Sequence, residues 1–215
     1  MRPGDTIAAL ATGPGRSRRA ILRISGPLTL AVLERVGGLE TRPTGAGAHT
    51  VRLRLPSSTG DLELPALLLL SRAPRSYTGE DSAELFIPGN PALIARAMAL
   101  LLDHPADDGA PGVVRAAGPG EFTARAFLAG KLSLDQAEGV QALIAARSDE
   151  QLAAARALLA GDLGAAAVGM ADQLAHALAL VEAGIDFTDQ EDVVPIGAAE
   201  LRGRLDRIGA EVRAA

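Results

Sequence analysis

GPGEFTARAFLAGKLSLDQAE, residues 118–138, predicts two helices joined by a short hinge. Glu121 falls in the first turn of the first helix, where a carboxylate complements the positive helix end. Gly130 stands where a helix commonly ends on a left-handed residue, and Ser133 with Gln136 predicts the capping box that opens the next helix. The stretch therefore separates two kinds of structure, because mixed strands and helices are predicted before it and only helices after it.

Lys131 lies in this hinge and is the only lysine in the chain, beside twenty arginines. A compact ammonium group can meet a single carboxylate where a planar guanidinium does not fit. On residue type alone, a lysine that caps a helix carbonyl or faces solvent is the simpler interpretation. Lys131 is therefore a candidate binding residue with a structural alternative.

Before the hinge, hydrophobic periodicity predicts elements in the order β, β, α, β, β, β, α, β. The predicted strands are residues 6–11, 20–24, 50–55, 62–70, 83–87 and 113–116, and the predicted helices are residues 28–36 and 91–102. The third and fourth strands flank a short polar turn and are expected to form a hairpin. The sequence thus predicts an α+β fold: a mixed or antiparallel sheet domain with helices over residues 1–117, then part of an α-helical bundle over residues 118–215.

The helical part is alanine-rich, and its apolar residues recur at helical spacing. Ser148 with Gln151 predicts a second capping box. His176 lies off the apolar stripe and is expected at the surface. The acidic run at residues 186–192 lacks the spacing and glycine of an EF-hand, so a solvated connection is favoured over a cation site, and no metal site is predicted. The residues expected to face inward are Leu152, Ala155, Leu159, Met170, Leu174, Leu178, Val181, Leu201, Leu205, Ile208 and Val212.

The composition excludes several classes of protein. A net charge of −5 argues against a broad electrostatic coating of nucleic acid, and the lack of cysteine excludes disulfides, thiolate nucleophiles and cysteine metal sites. No charged-then-apolar signal pattern begins the chain, and no apolar run is expected to reach the roughly 18 residues of a membrane span. The sequence therefore predicts a cytoplasmic protein with no membrane contact.

Two more candidate binding residues lie in the N-terminal part. Arg23 sits inside a predicted strand, and alternation places it on the face opposite Leu22 and Ile24. Such an arginine needs an anionic partner, either a ligand or an internal salt bridge. Glu80 follows Gly79, a residue that permits an unusual backbone angle. Its carboxylate could accept two hydrogen bonds from a planar amino-pyrimidine edge, such as a pterin presents, or simply belong to a solvated acidic turn.

Four separated motifs resemble one known family. They are DTIAALATGPGR with AILRISGP near the start, SYTGEDSAEL at residues 76–85, GEFTARAFLAGKLSLDQAEGVQALI at residues 120–144 and GIDFTDQED at residues 184–192. All four, in this order, closely resemble the N-terminal region of the bacterial tRNA-modification GTPase family known as MnmE or TrmE. The resemblance covers nearly the whole chain.

The resemblance implies a folate-binding fold of the aminomethyltransferase type that also forms a homodimer. Arg23 in ILRIS, Glu80 in TGED and Lys131 in GKL match the family's folate-binding positions, and no catalytic residue is carried over. The implied cofactor is a tetrahydrofolate derivative, 5-formyl- or 5,10-methylene-tetrahydrofolate. It is thought to supply a one-carbon unit for the carboxymethylaminomethyl group on the wobble uridine U34 of tRNA. The implied partners are the flavoprotein MnmG (GidA) and, through that complex, tRNA.

The family's GTPase activity has no counterpart in these residues. A P-loop requires G-x-x-x-x-G-K-[ST], but the single Gly-Lys pair, Gly130-Lys131, is followed by Leu132, and Arg125 stands at the position of the first glycine. The chain is thus expected to carry the N-terminal domain and the first part of the helical domain, without the GTPase domain that would use GTP, Mg²⁺ and K⁺. It is not expected to hydrolyse GTP alone.

Two departures from the family pattern leave an alternative open. Pro88-Gly89-Asn90 stands where the family usually has His-Gly-Gly, and Ser17 and Arg18 replace a usual glycine pair. The missing histidine and the missing GTPase domain favour a dimerising scaffold that has lost folate binding and chemistry. A stand-alone folate-dependent one-carbon enzyme is a third interpretation, but no evident acid–base pair in the sequence supports it.

Overall fold

A six-stranded sheet forms the centre of the first half of the chain. The computed structural model describes residues 4–37, 45–56, 60–103, 113–186 and 196–214. It divides the chain into two units, Met1–Leu132 and Ser133–Ala215. The sequence predicted the division after Ala117, whereas in the structure the first unit also includes the helix and the hinge that follow.

The described part of the first unit contains six strands and three helices. The strands are β1 (Thr6–Leu10), β2 (Ser17–Ser25), β3 (Gly47–Leu55), β4 (Leu62–Ser71), β5 (Ser82–Gly89) and β6 (Val114–Ala116), and the helices are α1 (Thr29–Gly37), α2 (Pro91–Leu102) and α3 (Glu121–Leu128). The strand order across the sheet is β3-β4-β5-β2-β1-β6. Every neighbouring pair is antiparallel except β1 with β6, which is parallel. The predicted α+β class and the predicted order of the first eight elements are confirmed.

The core lies on one face of the sheet, where apolar side chains of α1 and α2 pack against those of the strands. On β2, Leu22 and Ile24 belong to this core, while Arg23 and Ser25 point to the other face. This is the alternation that the sequence predicted for Arg23. The β3–β4 hairpin is also confirmed, with Val51 opposite Ala66. The core is built from aliphatic side chains, as the low aromatic content requires.

α3 ends in a Schellman motif that forms the predicted hinge. The N–H of Lys131 donates to the carbonyl oxygen of Ala126 (2.8 Å), and the N–H of Gly130 donates to that of Phe127 (2.9 Å). Gly130 has φ +66°, so the predicted left-handed residue is confirmed. The helix begins at Glu121, which lies in its first turn as the sequence predicted.

Over residues 133–186 and 196–214, the second unit consists of four helices: α4 (Leu134–Ala145), α5 (Asp149–Ala160), α6 (Asp162–Asp186) and α7 (Ala198–Ala214). Ser133 forms the complete capping box with Gln136. Ser148 accepts from the N–H of Gln151, but the Gln151 side chain accepts from the N–H of Arg147 (2.7 Å), so the second box is only half formed. Of the predicted acidic connection, all but Asp186 lies outside the described residues.

The prediction of inward-facing stripes in the second unit is largely wrong. Ala155 and Ile208 are buried, but five of the residues expected inside are exposed: Leu152, Leu174, Leu178, Leu205 and Val212. The other four, Leu159, Met170, Val181 and Leu201, are half-buried, and each of the described helices α4 to α7 keeps at least one large apolar side chain exposed. His176 is exposed, as predicted.

By length and composition, α6 could cross a membrane, since its most apolar 18-residue window has a mean hydropathy of 1.3. The sequence had predicted no such run. Asp172, Gln173 and His176 lie in the middle of the helix, where a bilayer would penalise polar groups. The Gln173 side chain also donates to Glu211 of α7 (3.1 Å), but only 6% of that window is buried among the described residues.

We predict opposite effects for two alanine substitutions at helix-interior glycines of the second unit. A Cβ at Gly139 would lie 2.8 Å from the backbone nitrogen of Leu159 and 3.0 Å from Leu158 Cβ. Gly139→Ala should therefore force α4 and α5 apart and destabilise the unit by about 1–3 kcal/mol. Thermal unfolding followed by circular dichroism measures the change.

Gly169→Ala is the matched control, because a Cβ at Gly169 meets nothing within 4 Å. Alanine there should stabilise α6 by about 0.5–1 kcal/mol through its higher helix propensity. Equal effects of the two substitutions would contradict the close α4–α5 packing.

Candidate functional site

The carboxylate of Glu80 lies in the turn before β5 and is held there by contacts from two other segments. Gly79 has φ +78°, and this left-handed turn brings the chain back toward β2. Oε2 of Glu80 accepts from Ser25 Oγ (2.9 Å), and Ser25 Oγ is 2.7 Å from the hydroxyl of Thr78. The Glu80 side chain remains 34% exposed, so a ligand could approach this side chain from the solvent.

Arg125 of α3 is the second partner of Glu80. Its Nη1 donates to both carboxylate oxygens of Glu80 (3.0 and 3.2 Å) and to the backbone carbonyl oxygen of Asp5 (2.8 Å). Its Nη2 donates to Oε1 of Glu121 (3.2 Å). The side chain is only 7% exposed. A buried guanidinium requires such acceptors, because its desolvation is not otherwise offset.

Arg115 of β6 extends this arrangement into a buried ion cluster, which we define as Asp5, Arg115, Glu121 and Arg125. Arg115 donates to Oδ2 of Asp5 (2.8 Å) and to both oxygens of Glu121 (2.5 and 2.8 Å). Glu121 also accepts from the N–H of Gly118 (2.8 Å), just before α3 begins. The cluster therefore fixes the start of α3 against β1 and β6.

The contacts shift the pKa values of two members of the cluster. The hydrogen bond from Arg115, chiefly, lowers the pKa of Glu121 to about 2, against the opposing effect of burial. The hydrogen bonds that Arg115 donates to Glu121 and Asp5 raise the pKa of its guanidinium. Both groups are therefore charged throughout the physiological range of pH.

Arg23 has an internal partner, which was one of the two possibilities that the sequence left open. Its Nη2 lies 2.7 Å from Oε1 of Glu84, the residue directly opposite on β5. Its guanidinium also lies 5.5 Å from the centre of the Phe122 ring, a distance typical of a cation–π contact. The side chain is 38% exposed. Arg23 is thus oriented by protein groups while keeping an accessible side.

Lys131 is exposed, and its backbone is fixed by the Schellman motif. Its side chain passes close to the turn that precedes Glu80: a Cβ built on Gly79 would lie 3.5 Å from Lys131 Cε and 3.1 Å from Ala129 Cβ. The left-handed turn and the close approach both require glycine at position 79. The end of α3 and the Glu80 turn are therefore neighbours.

The three residues predicted from sequence come from distant segments and lie around one region of the first unit. Arg23 and Ser25 share a face of β2, Ser25 contacts Glu80, and Lys131 lies beside Gly79. Sequence reasoning missed the groups that orient them, namely Ser25, Glu84, Phe122 and Arg125. Two signals existed: Ser25 is two residues after Arg23 on a strand, and Glu121 with Arg125 has the i, i+4 spacing of a helical ion pair.

The part of the chain that the structure describes holds no group of three or more histidine or carboxylate side chains arranged for a metal ion. What this site offers is hydrogen-bonding and ionic contact: one oriented carboxylate, one oriented guanidinium and one exposed ammonium. Such a set can bind a planar donor edge together with anionic or carbonyl groups.

We predict that the buried ion cluster makes the first unit acid-sensitive below pH 4.5. Because the pKa of Glu121 falls from 4.5 to about 2 on folding, its contribution is present above pH 4.5 and is lost as the pH falls toward 2. Glu121→Gln should reduce this dependence on pH and lower the free energy of unfolding at pH 7 by roughly 3 kcal/mol. Denaturant unfolding at a series of pH values tests both expectations.

Glu63→Gln is the control, since Glu63 pairs with Arg54 on the surface at 3.1 Å and both side chains are about half exposed. Its effect on stability should stay within about 0.5 kcal/mol. An unchanged acid dependence in Glu121→Gln would contradict the role given to the cluster.

Comparison with known proteins identifies both units. Residues 6–131 match the family model described as GTP-binding protein TrmE N-terminus, and residues 134–215 match the MnmE helical domain. The chain is 39% identical over 208 residues to tRNA modification GTPase MnmE of Halorhodospira halophila, and 44% identical over 213 residues to that of Rhodopseudomonas palustris.

These alignments include 97% and 99% of this chain but only 42% and 46% of the two relatives, so the chain spans less than half their length. The MnmE of Hyphomonas neptunium is 40% identical over 215 residues, which is 100% of this chain and 46% of that protein. The two family models together span both units of the chain. The chain therefore belongs to the MnmE (TrmE) family of tRNA-modification GTPases and carries the family's N-terminal and helical domains.

Proposed function

We propose that the first unit binds a tetrahydrofolate derivative, 5-formyl- or 5,10-methylene-tetrahydrofolate, through Arg23, Glu80 and Lys131. The observation that carries the proposal is the Glu80 carboxylate, which Ser25 and Arg125 orient and which is still 34% exposed. A carboxylate fixed in this way can accept paired hydrogen bonds from the amino-pyrimidine edge of a pterin. The family resemblance points to the same three residues.

The residues present fit this cofactor. A carboxylate has about four acceptor positions, and the contacts from Ser25 and Arg125 take three of them, two on Oε2 and one on Oε1. One position on Oε1 is left for a donor of the pterin edge, and the second donor of that edge would share an oxygen with Arg125. Arg23 and Lys131 supply positive charge for carbonyl or carboxylate groups of the same molecule. Phe122 adds an aromatic ring beside Arg23. The acidic, cationic and aromatic groups are those that a folate requires.

Each residue has a distinct part in this proposal. Glu80 binds the donor edge of the pterin and sets its orientation, while Arg23, held by Glu84, meets an anionic or carbonyl group without needing to reorient. Lys131 is exposed and adds a mobile charge from the hinge. The bound folate would supply the one-carbon unit. The protein groups bind and orient it, and none of them is assigned a proton transfer.

In the complete protein, we propose, this unit serves a cytoplasmic tRNA-modification GTPase that forms the carboxymethylaminomethyl group on the wobble uridine U34. Its partner would be the flavoprotein MnmG, and tRNA would bind through that complex. GTP, Mg²⁺ and K⁺ would belong to a GTPase domain whose P-loop motif these 215 residues do not contain. Family membership and the name of the relatives, tRNA modification GTPase MnmE, support the proposal.

A calorimetric titration with 5-formyltetrahydrofolate tests the site. The unsubstituted chain should bind in the micromolar range, and Glu80→Ala and Lys131→Ala should each weaken binding about tenfold to a hundredfold, the effect of losing a hydrogen bond to a charged group. Glu63→Ala removes an exposed carboxylate on β4 that pairs with Arg54, and it should bind like the unsubstituted chain. A folded protein that fails to bind the folate would refute the proposed site.

The dimerising scaffold is the second candidate, and Pro88-Gly89-Asn90 is the observation that favours it. Asn90 caps α2 through Oδ1, which accepts from the N–H of Ala92 (2.9 Å), and Gly89 packs closely against Ser17. The segment thus has a structural role without the family's histidine. Pro88 is four residues along β5 from Glu84, about 13 Å at the usual strand rise. Within one chain, this distance places the position of the missing histidine away from Glu84, the partner of Arg23, which favours retained folate binding.

Both candidates require a dimer, which light scattering measures directly. We expect a mass of twice 22.0 kDa at micromolar concentration, with or without folate. A dimer without folate binding would support the scaffold, whereas a monomer at every concentration would contradict both candidates.

A further inference from the structure

We propose that Arg125 is the positioning residue of this site, because its buried guanidinium fixes the orientation in which Glu80 presents its carboxylate. The inference rests on the proposed function, since the ligand concerned is the reduced folate proposed for Glu80. Arg125 would not touch the folate itself. It would act through Glu80, which the resemblance already marked as a binding residue.

The contacts of Arg125 are those of a fixed support. Nη1 contacts both oxygens of Glu80, at 3.0 and 3.2 Å, so this donor holds the two ends of the carboxylate at nearly equal distances. The same nitrogen is tied to the Asp5 carbonyl oxygen at 2.8 Å, and Nη2 to Glu121 at 3.2 Å. Arg125 is 7% exposed while Glu80 is 34% exposed. One end of the pair is therefore immobilised in the protein and the other faces the ligand.

One donor of Arg125, the buried Nε–H group, indicates that this arginine does more than stabilise the fold. Nε of Arg125 is buried and has no hydrogen-bond partner among the described residues. A buried donor without an acceptor is costly, and such exceptions in native proteins concentrate at functional sites. In the geometry observed, Nη1 and Nη2 reach Glu80 and Glu121 while Nε is left without an acceptor. The guanidinium thus holds Glu80 in place while one of its own N–H groups is left unpaired among the described residues.

Arg115 provides an internal comparison within the same buried ion cluster. It contacts Asp5 and Glu121 through side-chain bonds of 2.5 to 2.8 Å but has no contact with Glu80. Its remaining bond is to the carbonyl oxygen of Ala116. Loss of Arg115 would thus loosen the cluster and α3, while loss of Arg125 would do this and also release Glu80. A comparison of variants at the two arginines therefore distinguishes a loss of stability from a loss of Glu80 orientation.

The test is a titration of 5-formyltetrahydrofolate into the unsubstituted chain, Arg125→Gln, Arg115→Gln, Glu80→Gln and the double variant Glu80→Gln/Arg125→Gln. Arg125→Gln should raise Kd at least about tenfold. Arg115→Gln should change Kd by less than about threefold although it destabilises the unit. In the double variant, Arg125→Gln should add no further loss, because its effect passes through Glu80. Thermal unfolding of each variant reports its stability independently.

The possible failures are distinguishable. If the unsubstituted chain does not bind the folate, the proposed function falls and this inference with it. If binding depends on Glu80 but Arg125→Gln binds normally, the proposed function stands and the positioning role is refuted. Equal losses in Arg115→Gln and Arg125→Gln, or an added loss in the double variant, would likewise overturn the positioning role.

Arg125→Lys and Arg115→Lys replace the glutamine variants if either of those fails to fold. A lysine keeps the positive charge in the buried ion cluster but cannot contact two carboxylates through a planar fork. Arg125→Lys should therefore fold and still bind more weakly than Arg115→Lys. Equal affinities of the two lysine variants would refute the positioning role.

Discussion

The placement of α3 on the sheet depends on one buried guanidinium. Arg125 takes acceptors from its own helix (Glu121), from the turn before β5 (Glu80) and from the start of β1 (the carbonyl oxygen of Asp5). Apolar packing contributes less to this attachment, because Ala126 is the only hydrophobic residue among those of α3 that are buried. Charge pairing thus positions a helix that hydrophobic contact alone would hold weakly. The geometry of the candidate site depends on the same guanidinium, because Arg125 also contacts the carboxylate of Glu80.

The sequence predicted the elements of the first unit well because each is encoded locally. Alternation on β2 separated Leu22 and Ile24 from Arg23, and Gly130 marked the end of α3. The buried ion cluster could not be predicted in the same way, because its members are contributed by β6, α3 and the start of the chain. Pairings between distant charges are decided by the tertiary fold. Only the Glu121–Arg125 pair has a local signature.

In the second unit, the helix starts could be predicted from the sequence, but the buried faces could not. Its helix starts were predictable from Ser133 and Ser148, since a cap is a local hydrogen bond. The inward faces were not, since burial depends on which surfaces meet. Small residues make the closest contact: Gly139 of α4 lies against the backbone of α5, and Ala155 is among the few buried residues. The spacing of the leucines therefore predicted the wrong buried faces, because glycine and alanine make the close contacts between these helices.

Lys131, the single lysine in the sequence, is a site for selective chemical labelling. Because all other basic side chains in the sequence are arginine or histidine, an acylating reagent has a single side-chain amine to modify besides the amino terminus. That amine is exposed, and the Schellman motif fixes the backbone from which it projects. A fluorophore or crosslinker attached there would sit beside the turn that carries Glu80. The chain thus already contains a labelling position next to its candidate site, without an engineered cysteine.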